Sequence, residues 1–219
     1  MDNLFVLKLS GHMIYHSEVL AKTIHELSSL AQLARFILVP GGSVFADYVR
    51  ELQVKMGFSD DVAHWLAIKA MEMYGAYIAG IDESGIIIEA HDLVEACEVL
   101  KQGKIPIVMP YRIIKRFNEL PHDWSVTSDS IALYIANLIK ADMIVLAKPV
   151  DGVLDNEGNL IKKMTIQELD QLNTNIIDQY AVKLLHNTKL PLVIYNMFKP
   201  FILRNIVSRQ PGDYTLVTP

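Results

Sequence analysis

Cysteine is almost absent from this chain. A single residue, Cys97, stands among 219, so no internal disulfide can form and a reducing compartment, the cytoplasm, is the fitting one. Cys97 falls in the helical stretch 92–100, where a free thiol is expected to pack as a small apolar side chain. Long apolar runs are missing too. None approaches the roughly 20 residues of a membrane helix, and even 131–147 is interrupted by Asn137, Lys140 and Asp142. The opening MDNLFVLKLSG lacks the basic start and apolar run of a signal peptide. There is no block of like charges, and the net charge is −5. That argues against nucleic acid as a partner, because such proteins gather Lys and Arg on one face. An anionic small molecule stays open, since a site needs only local positive charge. No His or Cys pair has metal-site spacing, so no structural zinc and no resident metal site are expected. Internal repeats, low-complexity segments and clear linkers are absent, which leaves one domain over 1–219.

What is present is an apolar lean, 51% hydrophobic against 21% charged, and a regular alternation of strand-like and helix-like segments. Strands are expected at 4–9, 36–39, 86–89, 105–109, 143–147, 192–196 and 214–217. Helices are expected at 17–33, 44–55, 59–79, 92–101, from about Thr127, and at 165–172, 178–186 and 200–208. A loop rich in proline and histidine precedes Thr127, and Asp155-Asn156-Glu157-Gly158 reads as a hairpin tip. Ser59 reads as an N-cap followed by two first-turn acids, Asp60 and Asp61. The helix after it is apolar nearly all round, through Trp65, Leu66, Ile68, Met71, Met73, Tyr74 and Tyr77. Such a helix is buried on several sides, either in a homodimer interface or inside the monomer.

Strands alternating with helices imply a mainly parallel sheet covered on both faces, a three-layer α/β/α sandwich. Ligands bind such sheets at the carboxyl ends of strands, and three strand-end loops carry chemistry. In Lys8-Leu9-Ser10-Gly11-His12, a lysine inside an apolar strand is costly unless it meets an anion or carboxylate. The adjacent Ser-Gly can present N–H groups to phosphate; the other reading is an edge strand with a solvated lysine. Pro40-Gly41-Gly42-Ser43 lets backbone approach a ligand just before a helix N-terminus, which attracts anions. Lys148-Pro149-Val150-Asp151-Gly152-Val153 offers a lysine and a tight turn, or simply a polar turn.

Taken in order, these loops resemble the amino-acid kinase superfamily over nearly the whole chain. Lys8-Leu9-Ser10-Gly11 is similar to its opening lysine-glycine motif, Pro40-Gly41-Gly42 to its acceptor-side glycine loop, and Thr127-Ser128-Asp129-Ser130 to the segment whose aspartate orients catalytic lysines. Lys148 to Val153 resembles its nucleotide-side loop. Within the superfamily, VPGGSVFADYVREL, SDDVAHWLAIKAMEMYG and LPHDWSVTSDSIALYIA resemble the branch that phosphorylates an aminomethyl-furan-methyl phosphate on the way to methanofuran-type carriers. The chain departs from that pattern at Ser10 and His12, which replace a glycine and a serine. It departs again between Asn173 and Lys183, which hold no glycine, and at Tyr214-Thr215 in place of Gly-Thr.

The resemblance implies an ATP- and Mg2+-dependent phosphotransferase acting on a small-molecule phosphate acceptor. It implies an acceptor-side lobe over about 1–140 and a nucleotide-side lobe over about 141–219. Lys8 would stabilise the moving phosphoryl group and Asp129 would hold it, with Lys183 or Lys163 as the second positive charge. Ser10, Gly11, Lys148, Asp151, Gly152, Val153 and Lys163 would face the nucleotide. His12, Gly41, Gly42, Ser43, Trp124 and Thr127 would face the acceptor. His12 would hydrogen-bond an acceptor phosphate, and Trp124 would cover a flat acceptor ring or pack into the core. His64 is expected as a hydrogen-bonded interface histidine rather than a catalyst. A homodimer or an assembly of dimers is expected, with no nucleic acid or membrane partner. The alternatives are a uridylate- or isopentenyl-phosphate-kinase-like enzyme, or a non-catalytic nucleotide-binding or storage protein on the same fold.

Overall fold

A computed structural model describes residues 3–172 and 174–219. Asn173, where the glycine-free stretch begins, lies outside them, as do Met1 and Asp2 of the opening segment. The strands are β1 (Leu4–Leu9), β2 (Arg35–Pro40), β3 (Ile87–Ala90), β4 (Ile105–Val108), β5 (Met143–Lys148), β6 (Lys163–Thr165), β7 (Leu192–Asn196) and β8 (Tyr214–Thr218). They form one sheet in the order β3-β4-β2-β1-β5-β7-β8-β6. Every described pair is parallel except β7 with β8. The central strands read as unbroken apolar runs because both faces are covered. Val6, Ile37, Val39 and Ile144 point into one core, and Phe5, Leu7, Phe36 and Leu38 into the other.

The helices are α1 (Ser17–Leu30), α2 (Ser43–Met56), α3 (Asp60–Gly80), α4 (Leu93–Lys101), α5 (Pro110–Phe117), α6 (Ser128–Leu138), α7 (Ile166–Gln171), α8 (Gln179–Thr188) and α9 (Ile202–Val207). Side chains of α5, α6 and α8 fill the first core, and those of α1 and α9 the second. The result is the expected three-layer sandwich. No helix among the described residues is long and apolar enough to cross a membrane. Ser59 caps α3 by accepting from the Val62 amide at 3.4 Å, and Asp92 caps α4 at the Val94 and Glu95 amides.

Three expectations need correction. The segment before Thr127 is not all loop. Pro110, whose lost N–H is free at a helix start, opens α5, which buries Ile113 and Ile114 and ends at left-handed Asn118. A three-residue strand, β6, and a short 3-10 helix at Gly11–Tyr15 were not expected. Cys97 is exposed rather than packed, because α4 turns Ala96 and Val99 to the core instead. The apolar helix α3, as expected, is buried on more than one side. Ile68 and Met71 enter one core and Tyr74 and Ile78 the other, while Val62, Leu66, Met73, Tyr77 and Ile81 stay exposed.

Candidate active site

β1, β2 and β5 are neighbours at the sheet centre and run parallel, so their three carboxyl-end loops open on the same side. Lys8 lies in register with Val39 on one side and Leu146 on the other. It is 4% exposed, so it is no solvated edge residue. An ammonium so placed needs a counter-charge, which Asp129 in the first turn of α6 supplies. The Asp129 Oδ1 atom lies 2.9 Å from Lys8 Nζ, and its Oδ2 accepts a hydrogen bond from Lys148 at the end of β5. One carboxylate thus holds two lysines from two different strands.

That turn of α6 is itself fastened. Thr127 caps the helix, its hydroxyl accepting from the Asp129 amide at 3.3 Å. Asp178, the N-cap of α8, accepts from the Thr127 amide at 3.1 Å, the Thr127 hydroxyl at 2.6 Å and the Ser130 amide at 3.1 Å. It also accepts from the Ser130 hydroxyl, and from the Ala181 amide of its own helix at 2.7 Å. One carboxylate joins two helix N-termini and so fixes the ground on which Asp129 stands.

The charges in this cluster bias one another. Burial pushes the Asp129 carboxyl up, yet Lys8 and Lys148 outweigh it and hold the group below the usual carboxylate range. Burial pushes Lys148 down, and the charge of Lys8 adds to this against the pull of Asp129, leaving it at about 8. At the cluster itself two ammonium groups face one carboxylate, a local positive excess suited to an anion, while the cavity's other charged lining residues are Arg50, Asp47, Asp60 and Asp123.

A cavity of about 620 Å3 opens above the cluster. It is lined by Lys8, Asp129 and Lys148, by Ser10, Gly11 and His12, by Gly42 and Ser43, and by Trp124 and Thr127. The first two loops lie backbone to backbone. A Cβ on Gly11 would sit 2.6 Å from Ser43 Cα, and one on Gly41 2.6 Å from the Gly11 amide nitrogen. Ser43, at φ 54°, donates its hydroxyl to the Gly11 carbonyl at 3.2 Å. The buried Tyr74 hydroxyl donates to the Ser10 carbonyl at 3.1 Å. Trp124 is neither free nor simply core: its indole N–H donates to Gln53 at 2.6 Å while the ring lines the cavity. His64 also lines the cavity, and burial pushes its ring down to about 4, with His122 adding to the effect. The expectation of a hydrogen-bonded histidine is corrected there, because its Nε2 is buried without a hydrogen-bond partner.

Other expected site residues are not brought to this cavity. Gly41 serves it from behind, through Gly11. Asp151 is paired with Lys199 at 2.6 Å and accepts from Asn196 at 3.1 Å. The Val153 amide donates to the Thr215 hydroxyl at 2.8 Å, and Thr215, fully buried, donates on to the Ile161 carbonyl at 2.6 Å. Gly152 lies between them in a turn with φ 153°. Lys163 is exposed on β6, and Lys183 is exposed with its ammonium 5.5 Å from the Tyr180 ring centroid. Lys148, rather than Lys183 or Lys163, is the second lysine on Asp129. Residues the sequence reading did not single out are Asp178, Arg50 and Gln53. The Thr-x-x-Ser spacing of the α6 cap could have signalled an acidic partner, but not which one.

Comparison with known proteins bears on the family of the chain. Residues 3–196 match the amino acid kinase family. A curated relative, [5-(aminomethyl)furan-3-yl]methyl phosphate kinase of Methanocaldococcus jannaschii, is 27% identical over 215 residues, covering 97% of this chain and 96% of that protein. Uridylate kinase of Photorhabdus laumondii is 26% identical over 238 residues, covering 97% and 94%. Among solved structures, UMP kinase from Ureaplasma parvum superposes with a TM-score of 0.77 at 16% identity, and uridylate kinase from Archaeoglobus fulgidus with 0.76 at 20%, each over 100% of both chains. With the match spanning most of the sheet and all three strand-end loops, the chain belongs to the amino acid kinase family and is a phosphotransferase.

Proposed function

We propose that the protein transfers the γ-phosphoryl group of MgATP to a small phosphomonoester, of the aminomethyl-furan-methyl phosphate type that its Methanocaldococcus relative is named for. The observation that carries the reading is the Asp129 carboxylate bridging Lys8 and Lys148 on the floor of the cavity. Phosphoryl transfer asks a protein for in-line positioning and positive charge, with little covalent chemistry. Lys8 and Lys148 supply the charge from opposite sides, and Asp129 keeps both aimed. The Gly11 and Gly42 amides offer N–H groups to phosphate oxygens. His12 and Ser43 stand beside the acceptor's own phosphate.

We divide the work between the two parts of the chain, the acceptor against residues 1–140 and the nucleotide against 141–219. Magnesium enters as part of the MgATP substrate, bridging its phosphates. The turn at Asp151, Gly152 and Val153 shapes the nucleotide side from behind, through Thr215. Lys163 and Lys183 are given no role in the transfer. We further propose a cytoplasmic homodimer formed through the exposed apolar stripe of α3.

The test is turnover of purified protein with MgATP across a panel of small monophosphates, including the aminomethylfuran, uridylate and isopentenyl compounds. Melting is followed in parallel. Nucleotide at 100 times its dissociation constant should add about 2.7 kcal/mol of stability. Folded protein that neither shifts with millimolar MgATP nor turns over any member of the panel would refute the proposal.

A further inference from the structure

Trp124 borders two cavities. The larger runs along α2 and α3, past Arg50, His64 and Met71. A second, of about 410 Å3, runs along 175–179 toward the start of α8. Both reach Thr127, Asp129 and Lys148, so the indole stands where the two meet, and Lys8 lines only the larger.

The ring is held in that position by more than packing. Its N–H donates to Gln53 Oε1 at 2.6 Å. Gln53 in turn donates to Asp60 Oδ1 at 2.7 Å and to the Phe58 carbonyl at 3.3 Å, which ties the α2 side chain to the start of α3. One helical turn before Gln53, Arg50 lays its guanidinium over the ring face, 4.3 Å from the centroid. Residues three apart share a helix face, so α2 grips the indole twice, by its edge and by its face. The salt bridge from Arg50 to Asp47 is long, 4.0 Å, and exposed at both ends, and such a pair contributes little. The stack on Trp124 is therefore the contact that orients Arg50.

We propose that Trp124 is the specificity-determining partition of the site: it sets the size of acceptor that can reach Lys8 and Lys148 and screens the transferring phosphoryl group from solvent on its far side. Gln53 and Arg50 are its positioning residues. The inference rests on the phosphotransferase reading of the preceding subsection. An indole fixed at edge and face is a rigid wall, and a rigid wall discriminates by size where a floppy one adapts. When the wall is lost, the two cavities merge. Bulkier acceptors then fit in the volume the indole vacates, and water gains the acceptor's place. In that idle reaction, water attacks the γ-phosphorus as the bond to the β,γ-bridging oxygen breaks, giving ADP, inorganic phosphate and a proton.

The experiment compares wild type with Trp124→Ala, Trp124→Phe, Gln53→Met and Arg50→Met. The readouts are kcat/KM over a size series of phosphomonoesters and the rate of ADP formation with no acceptor. Trp124→Ala should raise the preference for bulkier over smaller acceptors by about 10-fold or more and raise acceptor-free ADP formation several-fold. The other three variants should move both readouts in the same direction by less. Gln53 and Arg50 are half-buried or exposed, so their variants decide the matter should Trp124→Ala fail to fold. A uniform loss of rate with acceptor ranking and idle hydrolysis unchanged would overturn the inference. The two proposals fail differently. Wild-type protein that turns over no phosphomonoester removes the function, whereas active wild type with variants of unaltered ranking removes only the partition.

Discussion

Replacing Lys148 by methionine should erase the alkaline limb of the pH–rate profile, because burial leaves this ammonium at about 8 instead of the ordinary lysine value. With that value, roughly nine-tenths of the free enzyme carries the charge at pH 7 and roughly one-tenth at pH 9. If only the charged form stabilises the moving phosphoryl group, kcat/KM for MgATP should fall about tenfold between pH 7 and pH 9. An ordinary lysine would leave the profile flat over that range. Bound phosphate favours the ammonium, so the limb of kcat should lie at higher pH than that of kcat/KM, and binding near pH 8.5 should take up a proton. Calorimetry in buffers of different ionisation enthalpy reads that uptake directly. Stability moves the other way. The unfolded chain binds more protons than the folded one between about 8 and the unfolded lysine value, so the desolvation cost of Lys148 is fully present below 8 and relieved as pH rises through that window. A kcat/KM that stays level to pH 9, or a Lys148→Met enzyme that keeps the wild-type limb, would refute the reasoning.

Lys8→Ala should lower turnover by about 10²–10³-fold with a smaller change in substrate affinity. The double variant with Asp129→Asn should lose less than the product of the single losses, measured at saturating MgATP and acceptor after a circular dichroism check. Asp178→Ala strips partners from both helix N-termini and should cost about 2–3 kcal/mol in denaturant unfolding. An unchanged midpoint would deny it the fastening role. Light scattering at micromolar concentration should give at least twice the 24.7 kDa chain mass. Met73→Glu with Tyr77→Glu should bring it back to one chain, and a monomeric wild type would rule out the α3 interface.

The central strands were legible because a parallel strand buried on both faces must be largely apolar, and β1, β2, β5 and β7 are, apart from Lys8 and the end residues Arg35, Lys148 and Asn196. That same rule made Lys8 conspicuous, since nothing local could satisfy it. Its partner Asp129 was readable only through the resemblance of Thr127-Ser128-Asp129-Ser130 to a family segment. The second lysine was not legible. Lys148, Lys163 and Lys183 are alike as letters, and only the adjacency of β5 to β1 carries Lys148 to Asp129. Asp178 joins α6 across 48 to 51 residues, and Gln53 reaches Trp124 across 71, separations to which local pattern is blind. The helix α5 was hidden by its proline, which looks like a breaker anywhere except at a helix start. Cys97 shows that a residue type's usual burial yields to the phase of its helix.

The contact between Gly11, Gly41 and Ser43 bears on how such a site can change over generations. With backbone against backbone there, a side chain added at either glycine has nowhere to go, so neither loop can drift without an answering change in the other. Heritable variation in what the protein accepts is thereby channelled away from the phosphate loops. It falls instead to α2 and to the segment bearing Trp124, which meet through the side chains of Arg50, Gln53 and Trp124. Single substitutions suffice there. A directed library that randomised residues 50, 53 and 124 would search acceptor preference in steps a living lineage can take, while one aimed at residues 11, 41 and 43 would yield mostly broken protein.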